Sequence, residues 1–197
     1  MPLTARLAEA VAEAIEIKNR LVAEQADQVA AAARLMADTL HQGGKILLFG
    51  NGGSAADAQH LAAEFVNRFR IERPPLAAVA LTTDTSILTS IANDYDFLEV
   101  FAKQVRALGR PGDLALGIST SGNSPNVVEA LKAAGQLGLA TLALSGGEGG
   151  PVAAAAELAI VVPSRSTPRI QEVHITIGHV LCDLVDYLLF SEKFPQD

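Results

Sequence analysis

The chain has 197 residues, of which 15 are Lys or Arg and 22 are Asp or Glu, so its formal net charge is −7. This length is typical of one compact domain. The acidic balance excludes proteins that bind nucleic acid through clustered basic side chains, so we expect no nucleic-acid partner. Glu157 interrupts the most apolar stretch, and charged residues occupy the N-terminus. We therefore expect no membrane segment, no secretory signal and a cytoplasmic location.

The first 42 residues are rich in alanine and favour helices. Apolar residues recur at helical spacing as far as Val22 and again from Val29 to Leu40, which predicts two helices. This helical extension precedes every other element. Its apolar spacing leaves open whether it packs on its own sheet or on a partner subunit.

Five short apolar runs follow, separated by segments with helical periodicity. They lie at residues 45–50, 77–81, 113–118, 139–144 and 158–162. Uninterrupted apolar runs are typical of strands buried on both faces, and their alternation with helices predicts a parallel sheet in an α/β fold. After Pro163 the apolar spacing predicts a long final helix, in which the single cysteine, Cys182, is expected to be buried. We interpret residues 1–197 as one domain.

The loop after the first predicted strand, GNGGSAADAQH at residues 50–60, combines three glycines with a helix start. Ser54 is predicted to cap the helix, with Asp57 three residues later. Free backbone amides at such a start favour an anion, although the glycines alone favour a turn without a ligand. The loop has neither the lysine of a nucleotide-binding P-loop nor the spacing of a dinucleotide fingerprint.

A second loop, STSGNSP at residues 119–125, carries four hydroxyl groups before a predicted helix. Ser124 is the predicted cap and Pro125 the first helical residue. A helix cap needs only one hydroxyl, so the cluster of Ser119, Thr120, Ser121 and Ser124 favours a phosphate or sugar-phosphate site. A third glycine-rich segment, at 145–150, offers one hydroxyl and is predicted to be a turn.

Asp57, His60 and Glu64 are spaced three and four residues apart, which places them on one face of a helix. A histidine and a carboxylate one turn apart can share a metal ion or act as an acid–base pair. The same spacing is common on solvated helix faces. The final helix adds three polar residues that could flank the same crevice: Gln171, His174 and His179.

Four separated segments resemble the sugar isomerase (SIS) domain family and, within it, the phosphoheptose isomerases. The segments are GNGGSAADAQHLAAE at 50–64, SIANDYDF at 90–97, GISTSGNS at 117–124 and TPRIQEVHITIGH at 167–179. The resemblance implies a three-layer α-β-α sandwich and a homotetramer with active sites at subunit contacts. It also implies an aldose–ketose isomerase that converts sedoheptulose 7-phosphate into D-glycero-D-manno-heptose 7-phosphate, the entry to activated heptose for lipopolysaccharide and other surface glycans.

The resemblance also assigns roles to particular residues. It implies substrate contacts for Asn51, Gly52, Gly53, Asn93 and Asp94, and phosphate contacts for Ser119, Thr120, Ser121 and Ser124. A zinc ion is implied at His60, Glu64, Gln171 and His179, with Glu64 and His179 as the acid–base pair, and Asp57 and Arg68 near the substrate. Pro168 stands where some members have an aspartate, so no role of that aspartate carries over.

Gln171 and His179 are separated by about 12 Å along a helix axis, so both reach one ion only if their side chains lean together. A contact between Gln171 and a substrate hydroxyl is the alternative, since amide oxygens are weak zinc ligands.

Two other functions are compatible with this family. The main alternative is a non-catalytic SIS-domain adaptor that resembles the replication-initiator-associating proteins. Such adaptors depart from the isomerases at the metal positions, whereas Glu64 and His179 are both present here. A sugar-phosphate-sensing regulator would carry a basic DNA-binding module, and the sequence has none. The retained pair favours the enzyme.

Overall fold

The computed structural model describes residues 1–194 of the chain. Its strands are short and its helices flank them in regular alternation. The strands are β1 Ile46–Gly50, β2 Ala78–Ala80, β3 Leu114–Ser119, β4 Ala140–Gly146 and β5 Leu158–Val162. The helices are α1 Leu3–His41, α2 Gly53–Val66, α3 Thr85–Asp94, α4 Ala102–Leu108, α5 Pro125–Gln136, α6 Gly150–Ala154 and α7 Thr167–Leu189, with 3₁₀ turns at Phe97–Glu99 and Ser191–Lys193.

The five strands form one parallel sheet in the order β2-β1-β3-β4-β5. The order reverses between β1 and β3, because the chain adds β2 on one side of β1 and the remaining strands on the other. In such sheets the crevice at the carboxyl ends of the two strands flanking the reversal binds ligands. All five predicted strands are confirmed, with bounds that differ by at most two residues.

Helices cover both faces of the sheet, which confirms the three-layer α/β sandwich. One apolar core joins the sheet to α1, α2 and α7, and contains Leu48, Leu116 and Ile177. The second core joins the other face to the helices between β2 and β5, and contains Phe49 and Leu131. Consecutive residues of one strand, such as Leu48 and Phe49, enter opposite cores because successive side chains of a strand point to opposite faces.

The N-terminal extension consists of two helical segments, as predicted, which meet at a kink with no loop between them. It changes direction at Gln25, which has non-helical backbone angles of φ −139° and ψ 18°. The Gln25 side chain accepts a hydrogen bond of 2.9 Å from Val161 N and donates to Val161 O on the edge strand β5. The kink therefore lies where α1 pairs with the unprotected edge of the sheet, a long-range contact that the spacing of apolar residues does not encode.

No helix within residues 1–194 has both the length and the apolar composition needed to cross a bilayer.

Candidate active site

Both predicted substrate loops lie at the point where the strand order reverses. The first loop leaves β1 and enters α2 through Gly52, whose φ of +57° is unfavourable for residues with a Cβ. The predicted Ser54 cap is wrong, because α2 already begins at Gly53 and Ser54 is buried inside its first turn. A Cβ at Gly50 would lie 2.8 Å from Ser54 Cβ, so the glycine allows the helix to begin close to the strand.

The second loop gathers its hydroxyl groups at the carboxyl end of β3. Ser119 is buried, and its Oγ lies 2.9 Å from Ser124 Oγ and 3.4 Å from Ser121 Oγ. Ser124 occupies the predicted cap position of α5 and Pro125 follows it, but the Ser124 side chain makes no capping hydrogen bond. Pro125 has no N–H and Val127 N donates to Ser124 O over 3.1 Å, so the loop hydroxyls and the dipole of α5, rather than a set of free amides, favour an anion here.

The third glycine-rich segment is a turn, as predicted, and it packs directly on the second loop. Ser145 Oγ donates a 2.7 Å hydrogen bond to Gly149 O, and Val152 N donates one of 3.0 Å to Gly122 O. Gly122 has φ +68°, and a Cβ there would lie 2.5 Å from Gly149 O. The turn therefore supports the hydroxyl-lined loop from behind and fixes its shape.

Three of the predicted chemical residues converge on the facing sides of α2 and α7. His60 Nε2 lies 2.8 Å from His179 Nε2 and 3.4 Å from Glu64 Oε1. At 2.8 Å one imidazole donates to the other, so one of the two Nε2 atoms carries a proton. Phe69 stacks on the other side of His179 with ring centroids 5.5 Å apart. Sequence reasoning missed Phe69, since one aromatic residue outside a motif gives no signal.

Asp57 lies one turn before His60 and is partly buried. Its Oδ2 atom is buried and has no hydrogen-bond partner among the residues that the structure describes. Burial raises the pKa of Asp57 to about 6, and the nearby charge of His60 opposes this shift. A substrate hydroxyl or a cation can serve as the missing partner of this buried carboxylate oxygen.

Gln171 lies near the start of α2 rather than beside the histidine pair. Its amide lies so close to Gly53 that a Cβ there would overlap it, and Gly178 makes the equivalent close approach to Leu61 further along both helices. The two helices thus run side by side in the same direction. Seven residues, about 10 Å of helix, separate Gly53 from His60. In this conformation Gln171 faces the first substrate loop.

A buried ion pair anchors the end of α2 beside the cluster. The side chains of Arg73 and Asp186 are 0% and 1% exposed, and Arg73 Nε donates to Asp186 Oδ1 over 2.7 Å. The same guanidinium donates to the main-chain oxygens of Glu64 and Phe65 over 2.9 Å and 2.7 Å. It therefore holds the last turn of α2, including Glu64, against α7. No local motif predicted this pair, because its partners are far apart in sequence.

The remaining predicted substrate residues lie outside this cluster. Asn93 and Asp94 end α3 and are exposed, with a mutual hydrogen bond of 2.8 Å. Arg68 is exposed and lies 3.7 Å from Glu72. Beyond α3, the segment from Asp96 to Leu98 lies beside the second loop, where there is a cavity of about 270 Å³. The first loop, this segment and the start of α5 with the residue before it all line the cavity: Asn51, Asp96, Phe97, Leu98, Ser124, Pro125 and Asn126.

The expectation that His174 joins the crevice is wrong. It is 1% exposed, and its Nε2 lies 3.0 Å from the main-chain oxygen of Ser145. The apolar residues around it on α7 face the sheet, so the helix turns His174 inward and His179 towards α2. Cys182 is buried as predicted, and burial raises the pKa of its thiol.

The histidine cluster has the donor chemistry of a zinc site. Two imidazole nitrogens and a carboxylate oxygen are common zinc ligands, with Zn–N distances of about 2.0–2.1 Å. No group of three or more His, Cys, Asp and Glu side chains in residues 1–194 is already spaced as a metal site. Two nitrogens sharing a tetrahedral ion lie about 3.3 Å apart, so the 2.8 Å pair of His60 and His179 would have to open by about half an ångström. The residues present therefore fit the ion after a small movement.

Known proteins are similar to this chain in sequence and in fold. The SIS domain family model matches residues 11–146. A phosphoheptose isomerase of Nitratidesulfovibrio vulgaris is 58% identical over 93% of this chain and 88% of its own length. The solved phosphoheptose isomerases of Neisseria gonorrhoeae and Francisella tularensis superpose with TM-scores of 0.89 and 0.90 at 50% and 39% identity, each over 94% of this chain and 99% of theirs. The chain therefore belongs to the SIS domain family and, within it, to the phosphoheptose isomerases.

Proposed function

We propose that this protein is an aldose–ketose isomerase that converts sedoheptulose 7-phosphate into D-glycero-D-manno-heptose 7-phosphate, the first step towards activated heptose. The observation that carries the proposal is the convergence of Glu64 and His179 with His60 on the facing sides of α2 and α7. A non-catalytic adaptor needs no such group of acid–base residues, and the similar proteins are isomerases.

The second loop binds the phosphate end of the substrate. Ser119, Thr120, Ser121 and Ser124 supply hydroxyl donors, and the start of α5 supplies a favourable dipole. Hydrogen bonds to a charged group contribute about 1.5–3 kcal/mol each, so this loop accounts for much of the binding. The first loop, with Asn51, Gly52 and Gly53, contacts the sugar, together with Gln171, which faces it.

The reaction moves one proton between neighbouring carbons through an enediol. Glu64 removes a proton from the first carbon of the ketose as the electron pair of that C–H bond forms the enediol double bond. The ketose carbonyl oxygen gains a proton from His179. Glu64 then returns its proton to the second carbon, and His179 takes the proton of the first hydroxyl, which becomes the aldehyde. An imidazole suits both transfers, because a ring nitrogen can either donate or accept a proton.

His60, Glu64 and His179 would hold one zinc ion per subunit, and the bound ion would polarise the substrate carbonyl. Gln171, predicted as a fourth ligand, lies about two helical turns from this cluster with its amide against Gly53, so a change of side-chain conformation alone does not bring it to the same ion. Asp57, with its unpaired carboxylate oxygen, lies close enough to His60 to influence it electrostatically.

The active form is a cytoplasmic homotetramer. An apolar stripe of α1 is exposed in the single chain, as expected of a surface that another subunit covers. Arg68, Asn93 and Asp94 are exposed and lie outside the cluster, which supports a site completed at subunit contacts. A free cysteine is compatible with a reducing compartment.

Glu64→Gln tests the proposal, because it keeps the shape of the side chain and removes the base. We expect turnover of sedoheptulose 7-phosphate to fall by about 10²–10⁴-fold while binding persists. Zinc content is measured on the same preparation to separate loss of the base from loss of the ion. Glu129→Gln, at a carboxylate that pairs with Lys132 on α5, is the matched control. Full activity of Glu64→Gln would refute the assignment.

A further inference from the structure

We infer that Asn126 is a positioning residue that fixes the orientation of the Asn51 amide in the substrate crevice. This inference rests on the proposed function of the first loop. The two side chains form a reciprocal pair: Asn51 Nδ2 donates to Asn126 Oδ1 over 2.8 Å, and Asn126 Nδ2 donates to Asn51 Oδ1 over 3.0 Å. The pair joins the loop after β1 to the first turn of α5, the helix that follows β3, and these two strands flank the reversal of strand order.

Because Asn126 is buried, its side-chain amide depends on this pairing for its hydrogen bonds. Asn126 is 3% exposed, and leaving a buried amide without a partner is destabilising. Asn51 is the only partner that its side chain has among residues 1–194. Rotating one amide by half a turn would set oxygen against oxygen and nitrogen against nitrogen, and both hydrogen bonds would be lost. The orientation of Asn51 is therefore tied to that of Asn126.

The pairing leaves Asn51 with a defined hydrogen-bonding capacity. A side-chain amide has two N–H donors and two acceptor lone pairs, and Asn126 uses one of each. One donor and one acceptor of Asn51 remain for the cavity that it lines together with Ser124. Asn126 also borders this cavity, but it is only 3% exposed and its side chain is paired with Asn51. It acts through Asn51, by fixing where these two groups point before the substrate arrives.

Asn126→Asp provides a test that responds to protonation. The new carboxylate has the shape of the amide and still accepts from Asn51 Nδ2, but it places an oxygen against Asn51 Oδ1. A protonated carboxyl restores both hydrogen bonds. Burial and the carboxylate of Asp96, which lines the same cavity, both favour the protonated form. We expect kcat/KM to be at least about tenfold below wild type near pH 8, and the ratio to wild type to recover as the pH falls towards about 6.

Two further variants separate positioning from a general loss of structure. Asn126→Ala removes the partner but suits a helix, so we expect a folded protein with low kcat/KM and no recovery at low pH. Gln136→Glu makes the same amide-to-carboxylate change at the exposed end of α5, and we expect wild-type kinetics. Should Asn126→Asp fail to fold near pH 8, Asn126→Ala decides. Wild-type kinetics in Asn126→Ala, or a loss in folded Asn126→Asp without any recovery, would overturn the inference.

A readout independent of activity tests the pair itself. In the wild-type protein the Asn51 side-chain amide should show slowed hydrogen exchange by NMR, and Asn126→Ala should abolish this protection. An unprotected amide in the wild type would overturn the inference. A protected amide in a wild-type protein that never isomerises the sugar phosphate would instead overturn the proposed function while the pairing stands.

Discussion

His174 shows at the scale of one residue what burial does to a titratable group. The ring is enclosed between α7 and β4, and its Nδ1 atom is buried without a partner among residues 1–194. Burial lowers the pKa of His174 to about 4, although the hydrogen bond to Ser145 O opposes the shift. The histidine is therefore neutral in the folded protein at neutral pH, and its imidazole is not available for catalysis.

This burial predicts an acid-sensitive stability. An unfolded histidine titrates near pH 6.5, so between this value and about 4 the unfolded chain binds more protons than the folded one. The contribution of neutral His174 to the free energy of unfolding is fully present above pH 6.5. It falls by about 3 kcal/mol in total as the pH is lowered from 6.5 through 4. His174→Gln keeps a donor for Ser145 O and should lose less stability on acidification.

Chemical denaturation near pH 7 and near pH 4.5 measures the difference. The control variant His41→Gln, at an exposed histidine, should lose as much stability on acidification as the wild type does. Equal acid sensitivity of His174→Gln and wild type would show that this ring is not the cause.

At the scale of the elements, apolar runs predicted every strand, because strands buried on both faces leave a direct mark on the sequence. Contacts between segments that are distant in sequence produce no local pattern and were not predicted. The kink at Gln25 depends on hydrogen bonds to Val161, and the early start of α2 depends on the packing of Ser54 over Gly50. The order of the strands, which brings the two substrate loops together, was likewise outside the reach of local patterns.

The ion pair between α2 and α7 yields a prediction at this scale. Asp186→Ala leaves the buried guanidinium of Arg73 without its carboxylate, and we expect a loss of about 3–5 kcal/mol in the free energy of unfolding. The double variant Arg73→Met with Asp186→Leu removes both charges and should recover most of that stability. Denaturant titration measures each value.

The control for this prediction is the exposed pair of Arg165 and Glu148, whose side chains are 85% and 86% exposed. Glu148→Ala should cost less than about 1 kcal/mol, because water screens the pair. An Asp186→Ala variant as stable as this control would contradict the anchoring role.

At the scale of the whole molecule, α1 carries more apolar surface than one chain covers. Leu3, Leu7, Val11 and Ile15 repeat every four residues and are 84%, 66%, 49% and 54% exposed. Exposed apolar stripes of this kind mark contacts between chains. The sequence showed the stripe but left its partner open, and within one chain α1 still packs extensively on α7 through the residues nearer its C-terminal end.

Leu7→Glu together with Val11→Glu tests the assembly. Sedimentation of the wild type should show about four chains, and the double variant should show fewer, because buried carboxylates lack partners at the contact. Glu9→Lys alters the opposite face of the same helix and should leave the assembly intact. A monomeric wild type with full activity at micromolar concentration would contradict the proposed tetramer.

The central claim is that the protein isomerises a heptose phosphate by moving a proton through Glu64. The most direct measurement is turnover of sedoheptulose 7-phosphate by the wild-type enzyme in deuterated water, with the product analysed by NMR and mass spectrometry. A carboxylate that exchanges its proton with solvent would place deuterium on the second carbon of the aldose, and we predict this label. An aldose product without deuterium would contradict proton transfer by an exchanging base, and the absence of any product would contradict the isomerase activity itself.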